Sequence, residues 1–407
     1  MKEPALTVRR MSLLMLLSPT LSPAAEFRAA VAAGRSDRNH APVFADLELP
    51  DALPAGPATV TSNGNTEPAQ LERLSAGKAR VWWMVYDLPA GRKQVYTIRT
   101  DQGSATGGPA GFYWKDTSKA DGKSMDLLFG KQPVLRYVYT PFDKGDLERT
   151  KKPFHHVFDP NGSRLITKGV GGKYSHHRGI FFGYKECSLG GQSYDTWHAG
   201  NGAHQLHRQV LRELTGPIVG GHVVEIHWND RQGKPFIEET RRVVAYRQPK
   251  DRLLIEFTST LRPTRGLVRL SGDRQHAGVQ FRAAQEVADN EKATRYLRPA
   301  GWGALAADEE INTPEHKDLP WNAIQYKLGG RPYTVAYLGD PKNPAGAEFS
   351  ERLYGRFGEY FPWELRRDNT LLVRYRWWVT ASPDVSRNLI EQKYQDLADP
   401  PKVELLK

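Results

Sequence analysis

Short runs of alternating apolar and polar residues, broken every few positions by Gly, Pro, Asn or Asp, constrain this chain more than any other feature. In Leu371-Leu372-Val373-Arg374-Tyr375-Arg376-Trp377-Trp378-Val379 the odd positions are apolar while Arg374 and Arg376 share the other side, the period of a half-buried strand. Comparable runs at 133–139, 179–184, 222–228, 240–246, 253–259, 278–286 and 332–338 also read as strands. Helical periodicity is scarce, with 386–397 the best candidate. Many short strands with turn residues between them predict an all-β protein, a large antiparallel β-sandwich over 110–395. Shorter runs at 43–49, 79–86 and 94–99, with turn pairs at Asn63-Gly64 and Ala90-Gly91, predict a small N-terminal β-sandwich domain over 26–105. A glycine-rich linker follows at 100–111.

At 407 residues with 39% hydrophobic and 25% charged side chains, the chain can bury a large core as a soluble protein. The formal charge of +11 favours acidic partners. The basic residues are spread along the chain in no nucleic-acid motif, so nucleic acid is not an expected partner. Residues 1–25 read as an export signal: Lys2, Arg9 and Arg10 precede the apolar Leu13-Leu14-Met15-Leu16-Leu17, and Ser22-Pro23-Ala24-Ala25 offers small residues for cleavage. The expected location is periplasmic or secreted. No segment approaches the ~20 apolar residues of a spanning helix. Cys187 is alone, so no intrachain disulfide forms.

Seven of the twelve histidines fall between residues 155 and 207. His176-His177-Arg178-Gly179 opens the apolar run Ile180-Phe181-Phe182, and imidazole is the side chain best suited to proton transfer or metal ligation near neutral pH. Both imidazoles can share one pocket only if the backbone bends before the strand begins. In 275–286, alternation puts His276, Gln280, Arg282 and Glu286 on one face, either a polar cleft or a solvated surface. Asp195 and His198 lie in a loop where the carboxylate can orient the ring. Trp197, between them, offers a flat face to a sugar or packs into the core. His155 and His156 are further ligand-contact candidates, as are Arg352 and Arg356 for an anionic or hydroxyl-rich ligand. There is no HExxH, paired CxxC, GxSxG or Walker spacing. Histidines suffice for a metal, so a divalent ion stays open as a cofactor.

Several of these segments together resemble a known family. Tyr137-Val138-Tyr139-Thr140-Pro141, Pro153-Phe154-His155-His156-Val157-Phe158, His176-His177-Arg178-Gly179, His276-Ala277-Gly278-Val279-Gln280-Phe281-Arg282 and Tyr354-Gly355-Arg356-Phe357-Gly358 are similar to the methane oxygenase PmoA-like bacterial domain family, over roughly 110–385. The resemblance implies an exported protein of polysaccharide-degrading bacteria and a sandwich like the galactose mutarotase group. Methane oxygenation needs spanning helices, which the chain lacks after its first 25 residues, so the resemblance implies fold rather than that activity.

The residues thus predict an exported carbohydrate-active enzyme, an epimerase, mutarotase, lyase or hydrolase. His176, His177 or His276 would transfer protons with Glu286 as partner, and Arg178 and Arg282 would stabilise developing negative charge. The contrasting readings are a non-catalytic glycan-binding protein and a metal-dependent oxidoreductase.

Overall fold

A computed structural model describes residues 25–48, 56–100, 111–119, 122–302, 317–382 and 384–406. All of the export-signal segment but Ala25 lies outside them. Two eight-stranded antiparallel sheets form the body. The front sheet runs, edge to edge, through Glu348–Arg352, Arg356–Tyr360, Ala277–Arg282, Ile180–Tyr184, Phe154–Val157, Gln132–Val138, Ser124–Phe129 and Phe112–Asp116. The back sheet orders His204–Leu214, Val219–Asn229, Pro235–Tyr246, Arg252–Pro263, Leu371–Thr380, Arg331–Gly339, Trp321–Leu328 and Arg295–Leu297. Their inner faces meet in one core: Ile180, Phe182, Val279, Phe281 and Phe357 from the front, Ile226, Trp228, Phe257, Tyr337 and Trp377 from the back. This is an antiparallel β-sandwich, as the alternation predicts.

Leu371–Thr380 carries the alternation through. Leu371, Val373, Tyr375, Trp377 and Val379 enter the core. On the opposite side Arg374 and Arg376 both donate to Glu256, at 2.6 and 2.8 Å. The Glu256 carboxyl is desolvated, yet these arginines hold it far below the usual carboxylate range.

A seven-stranded sheet gathers six strands between Ala25 and Thr100 and takes a seventh, Lys402–Leu406, from the far end of the sequence. It packs on the outer face of the back sheet, where Trp82 and Met84 meet Val244, Leu254 and Trp378. The helix Arg387–Ala398 packs into the same cluster through Ile390 and Leu397, capped by the Ser386 hydroxyl. Among the described residues no helix is long and apolar enough to cross a membrane.

The sandwich interior is not wholly apolar. Glu239 and Arg241 are completely buried and pair at 2.7 Å, and Glu239 also accepts from Trp228 Nε1 and Ser259 Oγ. Beside them His155 and His222 share one proton between their Nε2 atoms at 2.8 Å, with Tyr137 stacked on His155. A buried ion survives only when its partner stays. Glu239→Ala is expected to cost about 3–5 kcal/mol in urea unfolding; a loss typical of exposed pairs, about 0–1 kcal/mol, would contradict this assignment.

Glu359 points inward from Arg356–Tyr360. Burial lifts its carboxyl from 4.5 to about 7, against hydrogen bonds from Tyr375 and Asn343. Between these values the folded chain keeps a proton that the unfolded chain releases, so stability falls as pH rises through that window. Glu359→Gln should flatten that part of the pH–melting-temperature curve; a slope unchanged by the substitution would refute the buried acid.

Candidate functional site

The outer face of the front sheet carries the polar residues. Because side chains alternate, Phe154, His156, Phe181, Gln280, Arg282 and Arg356 point away from the core, and all are buried. Loops cover them. Thr196 donates its backbone N–H to the Tyr184 carbonyl and its own carbonyl passes Gly183 at a distance that leaves little room for a Cβ. Gly179 receives the Arg282 N–H at 2.8 Å and donates to the Lys168 carbonyl at 2.9 Å.

The backbone bend that two adjacent imidazoles require is present. Tyr174 has φ +54° and Gly179 φ +42°, both left-handed, and the strand begins only at Ile180. A Cβ on Gly179 would lie 2.1 Å from the His155 carbonyl oxygen. His176 and His177 therefore leave the chain before strand alternation separates them, and their rings come within 4.1 Å.

Two further histidines meet them, each held by the same local device. Asp195 Oδ1 accepts the backbone N–H of Trp197 and His198, and Oδ2 accepts His198 Nδ1–H at 2.9 Å. Asp273 Oδ1 accepts the Gln275 N–H at 2.8 Å and His276 Nδ1–H at 2.9 Å. A carboxylate on Nδ1 fixes the tautomer whose Nε2 is a bare lone pair. Ring centroids lie 4.5 Å apart for His176–His198 and 5.2 Å for His198–His276. One ligand atom from each of His176, His198 and His276 lies within 4.8 Å of the others, in the one such group among the described residues. His176 Nε2 is buried without a hydrogen-bond partner. The side chains of His198 and His276 stay 30% and 29% exposed, so the cluster opens to solvent there.

Positive charge surrounds this cluster. Burial, then the charges of Lys152 and His198, bring His176 down to about 2. Burial, then Arg356, His176 and Arg282, hold His177 well below the usual histidine range. Lys152 donates to the Trp197 carbonyl, and burial followed by Lys151 and Arg178 lowers its ammonium far below the ordinary value. Burial brings Arg178 and Arg282 each to about 10 and Lys168, also beside Arg282, to about 8. Nε and Nη1 of Arg178, Nε and Nη2 of Arg282 and both ring nitrogens of His177 are buried and reach no partner in the chain. Desolvated donors of this kind call for a partner from outside the chain.

Several sequence expectations are corrected here. Glu286 is not on the strand face with His276: the strand ends at Arg282. Glu286 lies in the first turn of the short helix Gln285–Asp289, pairs with Arg164 at 2.7 Å and accepts the Gly329 N–H. His155 turns into the core against His222, since neighbours in a strand face opposite ways. His156 does face outward, donating to or accepting from Thr167 Oγ1 at 3.0 Å. It lines a neighbouring cleft of about 220 Å³ with Arg136 and Arg149. Trp197 is no sugar platform; it is fully buried against Phe154 and Phe181. Gln280 is on the outer face as expected, but it bonds Arg356 at 3.0 Å, and Ser350 takes a second nitrogen of Arg356, which lies in the strand Arg356–Tyr360. Arg352 is buried on the neighbouring strand, where its charge bears on Arg274. Arg178 adjoins the cluster, over the Phe154 ring and donating to the Glu148 carbonyl. Sequence reasoning missed Lys152 and Lys168. It also missed Tyr354, which stacks on His177. The repeated Asp-x-x-His at 195–198 and 273–276 was the available signal for the site.

With the geometry in hand, comparison places the chain. Residues 124–395 match the family of unknown function DUF6807. The chain belongs to that family. This overturns the PmoA-like resemblance: the segments that suggested it fall within the DUF6807 match. No curated protein matches. Among solved structures, a GalM/aldose epimerase homologue from C. elegans is similar at 9% identity and TM-score 0.32, over 66% of this chain and 99% of that one. OpdL of Pseudomonas aeruginosa aligns at 8% identity and TM-score 0.16, over 94% and 99%.

Gly179→Ala should force the His155 carbonyl and the 173–179 segment apart. We expect a loss of several kcal/mol, by overpacking and a strained positive φ, together with altered ring signals of His176 and His177 in NMR spectra. A variant as stable as the parent, with those signals unmoved, would show that the bend does not set the cluster.

Proposed function

We propose that the chain is an enzyme that moves protons on a negatively charged, hydroxyl-rich small molecule, with an acidic sugar or glycoside as the class that fits. The observation that carries this reading is the pair of Asp-held imidazoles, His198 and His276, facing His176 beside guanidinium nitrogens that have no partner in the chain. A neutral imidazole with its lone pair outward is a general base. Arg282, whose charge bears on His177, supplies N–H groups for a carboxylate or for an enolate-type oxyanion as it develops.

This division of labour suits epimerisation or β-elimination, where one group takes a proton and cations hold the resulting charge. Retaining or inverting hydrolysis wants two carboxyl groups flanking the bond. The carboxylates that touch these imidazoles, Asp195 and Asp273, are committed to orienting them. Burial would raise the Asp273 carboxyl, but the His276 hydrogen bond and charge bring it down to about 2, so it is not a proton donor near neutrality. The reading includes export through residues 1–25. Recovery from the periplasm of a mature chain starting near residue 26, by intact mass, tests that part.

The function is tested by incubating the chain with uronate-containing oligosaccharides and their neutral counterparts, with products followed by mass spectrometry and NMR. Turnover of acidic substrates only is expected, falling about 10²–10⁴-fold in His276→Ala with the fold retained. Equal turnover of neutral sugars, or full activity in His276→Ala, would reject it. Binding of acidic oligosaccharides without chemical change would instead favour the glycan-binding alternative.

A further inference from the structure

We propose that His176, His198 and His276 together hold one divalent transition-metal ion of the zinc class. The proposal rests on the same pocket as the preceding reading but not on its catalysis.

Three features point to an ion at this spot. First, three lone pairs that converge without a cation between them repel. Around zinc, histidine nitrogens lie about 3.3 Å apart at bonds of ~2.05 Å, and a spread of 4.8 Å closes by small ring rotations. Second, His198 and His276 each give Nδ1–H to a carboxylate, the support found behind metal-bound histidines, which fixes the ring and raises its basicity. The chain builds this arrangement twice, on separate loops, and aims both at one point. Third, His176 Nε2 is buried and reaches no partner in the chain, which an ion at the centre would supply.

The donor set selects the kind of ion. Three neutral imidazoles without an oxygen ligand do not suit calcium or magnesium. The single thiol, Cys187, is buried on Thr196 and the Tyr184 carbonyl, so no thiolate joins. Three histidines on a half-exposed rim match zinc, cobalt, nickel, copper or iron in the divalent state, with at least one position open to water or substrate. Asp195 and Asp273 place two negative charges behind the ligands, offsetting the ion against Lys151 and Lys152. An ion here would take a substrate carboxylate or hydroxyl oxygen as its further ligand and polarise it. It would share the anion with Arg282.

The test uses the full chain, stripped with a chelator, dialysed and titrated with Zn2+ and with Co2+. Metal content is read by mass spectrometry and the cobalt form by its d–d absorption. We expect one ion per chain with a tetrahedral or five-coordinate cobalt spectrum. His198→Ala and His276→Ala should each abolish stoichiometric binding, and Asp273→Asn should weaken it about 10–100-fold. His227→Ala, at a surface pair with Glu225, should leave it unchanged. Circular dichroism checks each fold; the wild-type stoichiometry and Asp273→Asn carry the test if an alanine variant fails to fold. Absence of stoichiometric Zn2+ and Co2+ in the wild type overturns the proposal, as does binding that survives both alanine substitutions. Turnover of acidic sugars by a chain that takes up no stoichiometric Zn2+ or Co2+ would sink the metal and leave the enzyme reading. One tightly held ion with no turnover of any sugar would do the reverse.

Discussion

The close approach of the Gly179 backbone to the His155 carbonyl is the constraint on which the site depends. It permits a left-handed turn immediately before a buried strand, so two neighbouring imidazoles leave the chain on the same side. It also lets Lys168, Gly179 and Arg282 exchange backbone hydrogen bonds, tying the histidine loop to the strand that carries the central arginine. Similar contacts recur beyond it: a Cβ on Gly278 would strike the Glu359 carbonyl, and one on Gly358 the Val279 carbonyl. The front sheet is thus drawn tight at its middle, leaving a shallow outer face over which loops settle.

What those loops cover is unusual in charge. Lys152, Arg178, Arg282 and Arg356 are all buried on that face; Asp195 and Asp273 serve imidazoles, and Glu148 pairs with Arg178 at 3.7 Å. Removing so many cations from water is costly without compensation. Arg356 is satisfied by Gln280, Ser350 and Tyr354, which makes it a support for the floor of the site. Arg178 and Arg282 are not, and their bare nitrogens mark where an anion would fit. The sandwich interior solves its own polar problem differently: Glu239 and Arg241 close on each other, while His155 and His222 pair through Nε2 and leave both Nδ1 atoms without a partner. The Glu239–Arg241 pair is complete within the chain, whereas Arg178 and Arg282 each keep two buried nitrogens without a partner, and that contrast separates structure from site.

Much of this was legible in the residues and some was not. The alternation of 371–379 predicted both the core residues and the shared face of Arg374 and Arg376. The same reasoning placed Gln280 and Arg282 correctly, but period two was carried four residues too far, past the strand end at Arg282, and so misassigned Glu286. Alternation applied to His155 and His156 would have sent them opposite ways, as the structure does. The loop sequence leaves Trp197 open between a sugar platform and the core; the packing of Thr196 on Gly183 that buries it is a long-range contact no local pattern carries. The pairing of Lys402–Leu406 with Ala25–Ala32 is of the same kind, and Lys152 has no neighbouring motif to announce it.

The central claim is that carboxylates fix two imidazoles with their lone pairs facing a pocket that wants an anion. Long-range proton–nitrogen correlation spectra of the histidine rings test it most directly. The account predicts that His198 and His276 carry their proton on Nδ1, and that glucuronate, but not glucose, shifts their Nε2 resonances. Protons found on Nε2 of both rings, or spectra that respond equally to the neutral sugar, would contradict it.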